Sequence, residues 1–318
     1  LHALESATGV ALWTHSLQSG YMTVAPTIVG DRILFSSDLG VTAVSRTEEE
    51  TFWHASVPQG GAAECSPLVV DGAVLVECGH GALYAFYLDT GLPRWTRDIL
   101  KDKPPAPPRF DSKHALFGKI LARPRTGSTD GRTAYFGIFD QSRVVAVDVE
   151  TGDLKWSFAA KGWIGCTPAV TDGRVYVGSQ DRRLYCLDAA TGETIWEFTS
   201  KSRNESGVSV SNGRVFFGSC DRYLYCLDAQ TGELQWKFAT YRPIYSPPLV
   251  VGQSVYFGSF DGHLYALDCQ SGELQWKIKP FQETELLGAP CTDGERLFLS
   301  TRAMHEKNGV FSIVAIGA

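Results

Sequence analysis

The sequence lacks a long hydrophobic run. Its longest apolar stretches are four to six residues and end at Gly, Asp or Ser, whereas a membrane-spanning helix needs about 20 apolar residues. It also lacks the basic, apolar and small-residue regions of a signal peptide, and it opens at Leu1 without an initiator Met. We therefore expect a soluble protein without a transmembrane segment, either cytoplasmic or exported, and either processed or a piece of a longer chain.

Paired cysteines and concentrated positive charge are missing as well. The eight cysteines include no adjacent pair and no CxxC, so their spacing supports no metal site and favours small, buried free thiols. The net charge is −6, with Lys and Arg dispersed along the chain. Because nucleic-acid binding depends on clustered positive charge, we expect a protein or a small molecule as the partner and no nucleic acid.

One phrase recurs along the chain. Its clearest copies are LYCLDAATGETIW (184–196), LYCLDAQTGELQW (224–236) and LYALDCQSGELQW (264–276), which lie 40 residues apart. The repeats end at seven tryptophans with intervals of 40, 42, 61, 40, 40 and 40 residues, so an insertion at about 97–117 interrupts the series. The repeat-closing residues are Trp13, Trp53, Trp95, Trp156, Trp196, Trp236 and Trp276.

Each repeat has the pattern of four short antiparallel strands. Asp-Gly and Asn-Gly pairs mark tight hairpins, and an Asp-x-x-Thr/Ser-Gly turn precedes each of the later tryptophan strands. A sheet with two apolar faces needs neighbours on both sides, which radial packing supplies. We therefore predict an all-β, seven-bladed β-propeller over residues 1–318 as a single domain. Its N-terminal strand, residues 1–13, is expected to complete the C-terminal blade and close the ring.

The phrase from Gly258 to Trp276 resembles the repeat of pyrroloquinoline quinone (PQQ) type propellers. That resemblance covers nearly the whole chain. The same blade occurs in quinoprotein dehydrogenases, in BamB-like outer-membrane assembly factors and in accessory propeller domains of larger enzymes. The dehydrogenases have eight blades, adjacent cysteines beneath the quinone and a Ca²⁺ ion, and this sequence has no Cys-Cys pair. We therefore expect no cofactor, with PQQ and Ca²⁺ as the alternative.

The segments between each tryptophan strand and the next innermost strand do not repeat. They are residues 19–26, 60–67, 161–168, 201–208, 240–247 and 281–290, and in a propeller they surround the mouth of the central channel. They predict either a binding rim or ordinary solvated loops. The candidate rim residues are Trp163, Arg203, Asn204, Glu205, Tyr241, Arg242, Tyr21 and Glu64.

No catalytic or metal constellation emerges from the remaining residues. The seven histidines are scattered, and only Cys65 and Cys166 precede innermost strands, where a reactive thiol would be tested. The Pro-rich insertion can act as a docking segment or as a plain surface loop. The leading hypothesis is a non-enzymatic scaffold that binds a protein partner; the alternative is an oxidoreductase that binds a quinone or another small molecule at the channel mouth.

Overall fold

The computed structural model describes residues 2–4, 10–14, 25–37, 39–48, 50–57, 65–78, 81–99, 125–280, 284–303 and 311–317. The chain divides into two compact units, residues 1–159 (unit 1) and 160–318 (unit 2). The predicted single domain stays a prediction. Among the described residues the only helical element is a 3-10 helix, Phe139–Gln141, and none of them forms a helix long and apolar enough to cross a membrane.

Unit 1 contains three four-stranded antiparallel sheets, each with its strands paired in chain order. Sheet 1 consists of Thr27–Val29, Arg32–Ser37, Gly40–Ser45 and Thr51–Ser56. Sheet 2 consists of Leu68–Val70, Ala73–Cys78, Ala82–Tyr87 and Pro93–Asp98. Sheet 3 consists of Ser128–Thr129, Thr133–Ile138, Arg143–Asp148 and Leu154–Ala159. Two short pairs accompany them, His2–Leu4 with Ala11–Thr14 and, in parallel, Cys65–Ser66 with Arg125–Thr126.

Unit 2 contains four four-stranded antiparallel sheets, and in the first three of them the strands pair in chain order. Sheet 4 consists of Ala169–Thr171, Arg174–Gly178, Arg183–Asp188 and Thr194–Thr199. Sheet 5 consists of Val208–Ser211, Arg214–Gly218, Tyr223–Asp228 and Leu234–Ala239. Sheet 6 consists of Leu249–Val251, Ser254–Gly258, Leu264–Asp268 and Leu274–Ile278. Sheet 7 consists of Thr284–Leu286, Cys291–Thr292, Arg296–Ala303 and Phe311–Gly317, with the third of these strands paired to the other three.

The repeated tryptophans link consecutive sheets within each unit. In unit 2, the indole N–H of Trp236 donates to the carbonyl of Cys269 at 3.1 Å, and its ring lies against Gly272. A Cβ atom on Gly272 would come within 2.6 Å of that ring, and its φ is +72°, so a side chain there would meet both a clash and an unfavourable backbone. Trp53, Trp95 and Trp196 make the same contacts with the following sheets.

The aspartate turns fix the backbone that receives these indoles. In sheet 5, Asp228 Oδ1 accepts the backbone N–H groups of Gln230 and Thr231, both at 2.9 Å. The Thr231 hydroxyl also donates to it at 3.2 Å. Asp148, Asp188 and Asp268 form the same turn. The hydrophobic cores lie between neighbouring sheets, as the repeat predicts, with Phe216, Leu224 and Phe257 buried between sheets 5 and 6.

Candidate functional site

Three loops and three turns of unit 2 form one hydrogen-bonded strip, which we call the rim. The loops are residues 160–168, 200–207 and 240–248, each leading to the first strand of a sheet. The turns are residues 179–182, 219–222 and 259–262, each joining the second and third strands of a sheet. Loops and turns alternate along the rim because the first two turns bond to the loops on both sides, while the third bonds to loop 240–248 and to the first strand of sheet 7.

The turn 219–222 shows how these links are made. The N–H of Cys220 donates to the carbonyl of Arg203 in one loop at 2.9 Å, and Ser219 accepts the N–H of Ile244 from the next loop at 3.2 Å. The other turns repeat the pattern through Gln180 to Trp163, Asn204 to Ser179, Phe260 to Pro243 and Leu286 to Ser259. Backbone bonds therefore fix the loops in place without the help of their variable side chains.

One aspartate in each turn adds a side-chain link. Asp221 Oδ2 accepts the N–H of Lys201 at 2.9 Å and the hydroxyl of Tyr225 at 2.7 Å. Asp181 and Asp261 make the equivalent bonds. Burial, and then the bond to Asp221, raise the pKa of Tyr225 above its usual value of 10.0, so this phenol stays protonated and donates. The three carboxylates are thus occupied by the frame of the rim.

The structure brings six of the eight predicted site residues onto the rim. Trp163 is half-buried, and its carbonyl accepts the N–H of Gln180 at 2.9 Å. Tyr241 is 73% exposed, with the ammonium of Lys277 5.7 Å from its ring centroid. Arg242 is exposed, and its carbonyl accepts the Thr240 hydroxyl at 2.7 Å. These side chains therefore stand on a fixed backbone.

Arg203, Asn204 and Glu205 form a polar layer that lies mostly beneath the surface. The Glu205 side chain is 6% exposed and pairs with Arg203, whose Nε lies 3.4 Å from Glu205 Oε1; the Arg203 side chain is 41% exposed. Glu205 is too deeply placed to meet a partner directly. Its charge holds the guanidinium of Arg203 in position, and that guanidinium is the part of the layer that a partner can reach.

Asn204 occupies a position that is apolar in the neighbouring repeats. It is 1% exposed, while Ile164 and Ile244, 40 residues away on either side, are 0% exposed. Its Oδ1 accepts the Ser200 hydroxyl at 2.7 Å, and its Nδ2 is buried with no hydrogen-bond partner among the described residues. An unsatisfied buried amide costs about 1–3 kcal/mol, so this loop is less stable than it would be with isoleucine.

Tyr21 and Glu64, and most of the insertion at about 97–117, lie outside the described residues. The two cysteines singled out for testing are buried, Cys65 at 2% and Cys166 at 4% exposure. The Cys166 thiol donates to the carbonyl of Gly178 at 3.4 Å. Buried thiols bonded to backbone behave as structural residues.

The rim also contains two arginines that are not among the predicted site residues. Arg182 and Arg222 are exposed and both have φ of 76°, in the left-handed region. The third turn has Gly262 there, at φ 83°. A side chain in this conformation costs roughly 1–2 kcal/mol. The sequence does show this substitution, because SQDRR (179–183) and SCDRY (219–223) have Arg where the equivalent SFDGH (259–263) has Gly.

Two solved structures resemble this chain along most of its length. BamB from Moraxella catarrhalis matches 97% of this chain and 88% of its own, with a TM-score of 0.74 and 18% identity. A europium-containing methanol dehydrogenase matches 95% of this chain and 78% of its own, with a TM-score of 0.73 and 15% identity. At such identities these likenesses show the fold alone. Together with the seven four-stranded sheets, they confirm the predicted seven-bladed β-propeller; its closure by residues 1–13 stays a prediction.

The sequence comparisons show to which family of propellers the chain belongs. The curated outer membrane protein assembly factor BamB of Yersinia pestis is 26% identical over 197 residues, which is 55% of this chain and 45% of that protein. The chain thus spans about half the length of this curated relative in the match. The model of the family described as outer membrane protein assembly factor BamB matches residues 1–106, 109–202 and 180–309. Because these matches cover nearly all of its length, the chain belongs to this family of PQQ-type propellers.

Proposed function

We propose that this chain is a non-enzymatic scaffold that holds a protein partner against the rim of unit 2. Membership of the BamB family supports the proposal, because the curated relative from Yersinia pestis is named as an assembly factor for outer membrane proteins. That name describes the relative. For this chain, the proposal depends on what the rim presents to a partner.

The observation that carries the proposal is an exposed aromatic side chain on a rigid loop. Tyr241 is 73% exposed, while its own N–H is fixed by a 3.1 Å bond to Asp261 Oδ2. Tyrosine and arginine dominate the energetics of protein interfaces, and Arg242 follows directly in the chain. A loop that is already ordered loses little conformational entropy on binding, which favours affinity.

The chain's residues do not fit the quinone site of the dehydrogenases that share this fold. No two of its cysteines are adjacent in the sequence. Burial raises the pKa of Cys186 and of Cys226 to about 11, so both are protonated fillers of the sheets. We therefore propose that the chain works without PQQ. Thermal unfolding with PQQ and Ca²⁺ should show no shift, whereas a ligand at 100 times its Kd would stabilise by about 2.7 kcal/mol.

Site-specific photo-crosslinking tests the proposed function. A photoreactive amino acid replaces Tyr241 on the rim or, as the control, Tyr87, which is 48% exposed in unit 1. In the native cell we expect a discrete protein adduct from position 241 and none of the same mass from position 87. The adduct should weaken when Trp163→Ala and Arg242→Ala are added. Equal adducts from both positions, or none from position 241, would contradict the proposal.

A further inference from the structure

The two strained arginines of the rim are not needed for the shape of their turns. The third turn has the same backbone with Gly262, and its φ of 83° is close to the 76° of Arg182 and Arg222. In all three turns an aspartate follows the serine by two residues, and its backbone N–H donates to the serine hydroxyl. Glycine would fit the left-handed conformation without strain. The turn itself therefore does not explain why arginine is present, and we look for its role in contacts outside the turn.

The backbone of each arginine is fixed while its side chain is left in solvent. The carbonyl of Arg182 accepts the N–H and the hydroxyl of Ser200 at 2.9 and 3.0 Å. The carbonyl of Arg222 accepts the same groups of Thr240 at 2.8 and 3.1 Å. Within the described part of the chain, neither guanidinium has an ion pair. Both charges are thus available to a partner.

The exposed charge of the rim is positive throughout. Its loops and turns contain six cationic residues, Lys161, Arg182, Lys201, Arg203, Arg222 and Arg242, and four carboxylates, Asp181, Asp221, Asp261 and Glu205. The carboxylates point inward: the side chains of Asp261 and Glu205 are both 6% exposed, and the three aspartates accept bonds from the frame. The rim is therefore basic, although the whole chain carries a net charge of −6.

We propose that the rim binds an acidic, extended polypeptide segment, with Arg182 and Arg222 as its charge-specific contacts. This inference rests on the proposed function and names the chemistry of its partner. Stacked sheets lie about 10 Å apart and an extended chain rises about 3.3 Å per residue, so one acidic group every three residues or so would match successive turns. Exposed Tyr241 and half-buried Trp163 lie among the cations, a mixture typical of protein interfaces.

A peptide-binding titration tests this proposal with the whole chain. The probe is a fluorescent peptide of about ten residues, long enough to cross three sheets, which has Glu at every third position, one Tyr and Ser elsewhere. We expect binding that weakens as salt is added. The double variant Arg182→Gly/Arg222→Gly should bind about tenfold more weakly, since it removes two charge pairs. Its thermal midpoint should not fall, because both turns then have the residue of the third turn.

The matched control removes the same charge from unit 1. Arg46 and Arg132 are exposed there, and the variant Arg46→Gln/Arg132→Gln should bind the peptide as the wild type does. Equal binding by the Arg182→Gly/Arg222→Gly variant would overturn the inference. So would tighter binding of a single-stranded oligonucleotide, or of phosphatidylserine vesicles, than of the peptide. If position 241 still crosslinks to a protein while the peptide fails to bind, the proposed function stands and the acidic partner is wrong.

Discussion

The aspartate turns before the tryptophan strands of unit 2, here called the outer turns, follow the same 40-residue repeat as the rim loops. The two regions differ in whether the side chains repeat along with the backbone. In the outer turns both the backbone bonds and the side chains recur from one repeat to the next, as with Asp228, Gly232 and Trp236 in sheet 5. The rim loops keep their backbone bonds while the residue at one position changes from Trp163 to Arg203 to Pro243. The recurring turns therefore hold the sheets together, and the side chains of the rim loops can vary without loss of that structure. The rim side chains are thus available for binding.

The largest effect that this comparison predicts is at an outer tryptophan. Trp236→Ala removes the ring packed on Gly272 and the 3.1 Å bond to the carbonyl of Cys269. Truncation of a packed tryptophan costs about 3–5 kcal/mol, and half-burial places the expected loss at the lower end of that range. Urea denaturation, followed by tryptophan fluorescence and circular dichroism, measures it as a lower midpoint.

The control for this prediction is on the rim. Tyr241→Ala removes a side chain that is 73% exposed and keeps the backbone N–H bond of residue 241 to Asp261, so its free energy of unfolding should stay within about 0.5 kcal/mol of the wild type. A similar loss in both variants would show that the rim side chains also support the fold. The division between frame and binding surface would then be wrong.

A smaller effect is expected where the rim itself departs from its repeat. Asn204→Ile replaces the unsatisfied amide with the residue found at 164 and 244, and should stabilise the chain by about 1 kcal/mol. The reciprocal change, Ile244→Asn, buries a polar group where an apolar one packs on Gly218, and should destabilise it. Thermal unfolding of both variants measures the two shifts.

If Asn204→Ile raises the free energy of unfolding and Ile244→Asn lowers it, the polar layer reduces the stability of loop 200–207. If Asn204→Ile also lowers the free energy of unfolding, the amide has a stabilising partner in solution and the comparison with Ile244 fails. The binding of the acidic peptide to the Asn204→Ile variant then shows whether the layer also sets the position of Arg203.

The smallest effect is a dependence of stability on pH in the outer turns. The backbone N–H of Thr231 lowers the pKa of Asp228 below its usual value of 3.8. Its contribution to stability is therefore fully present above pH 3.8 and is lost as the pH falls through the lower pKa of the folded state. Asp228→Asn should flatten the acid limb of the stability profile.

The repeat made most of the frame predictable from sequence. The spacing of the tryptophans, the Asp-Gly and Asn-Gly hairpins and the Asp-x-x-Thr/Ser-Gly turns are local signals, because each depends on residues close together in the chain. Trp236 and its equivalents bond to the backbone of the next sheet. The partner residue, such as Cys269, has no local signal and follows only from the packing.

The sequence predicted which segments form the rim loops, but it did not predict which of their side chains are buried. The segments that stop repeating do supply its loops, and Tyr241 and Arg242 are exposed as a binding surface requires. The sequence could not place Asn204 and Glu205 in the interior, because both residue types are usually exposed. It could not reveal that the turns 179–182 and 219–222 lie beside these loops, since no short sequence interval connects them.

The sequence by itself determined the blade, because strand alternation, turn residues and the recurring tryptophan all act over a few residues. The tertiary structure alone decided where the charges meet. Lys and Arg are dispersed along the chain, with a net charge of −6, and this dispersion argues against a nucleic acid as the partner without showing which charges come together. The 40-residue period returns Lys161, Arg182, Lys201 and Arg222 to the same edge of successive sheets, while bonds to backbone N–H groups turn the aspartates inward. Distance in space, which sets the strength of electrostatic interactions, comes from the fold.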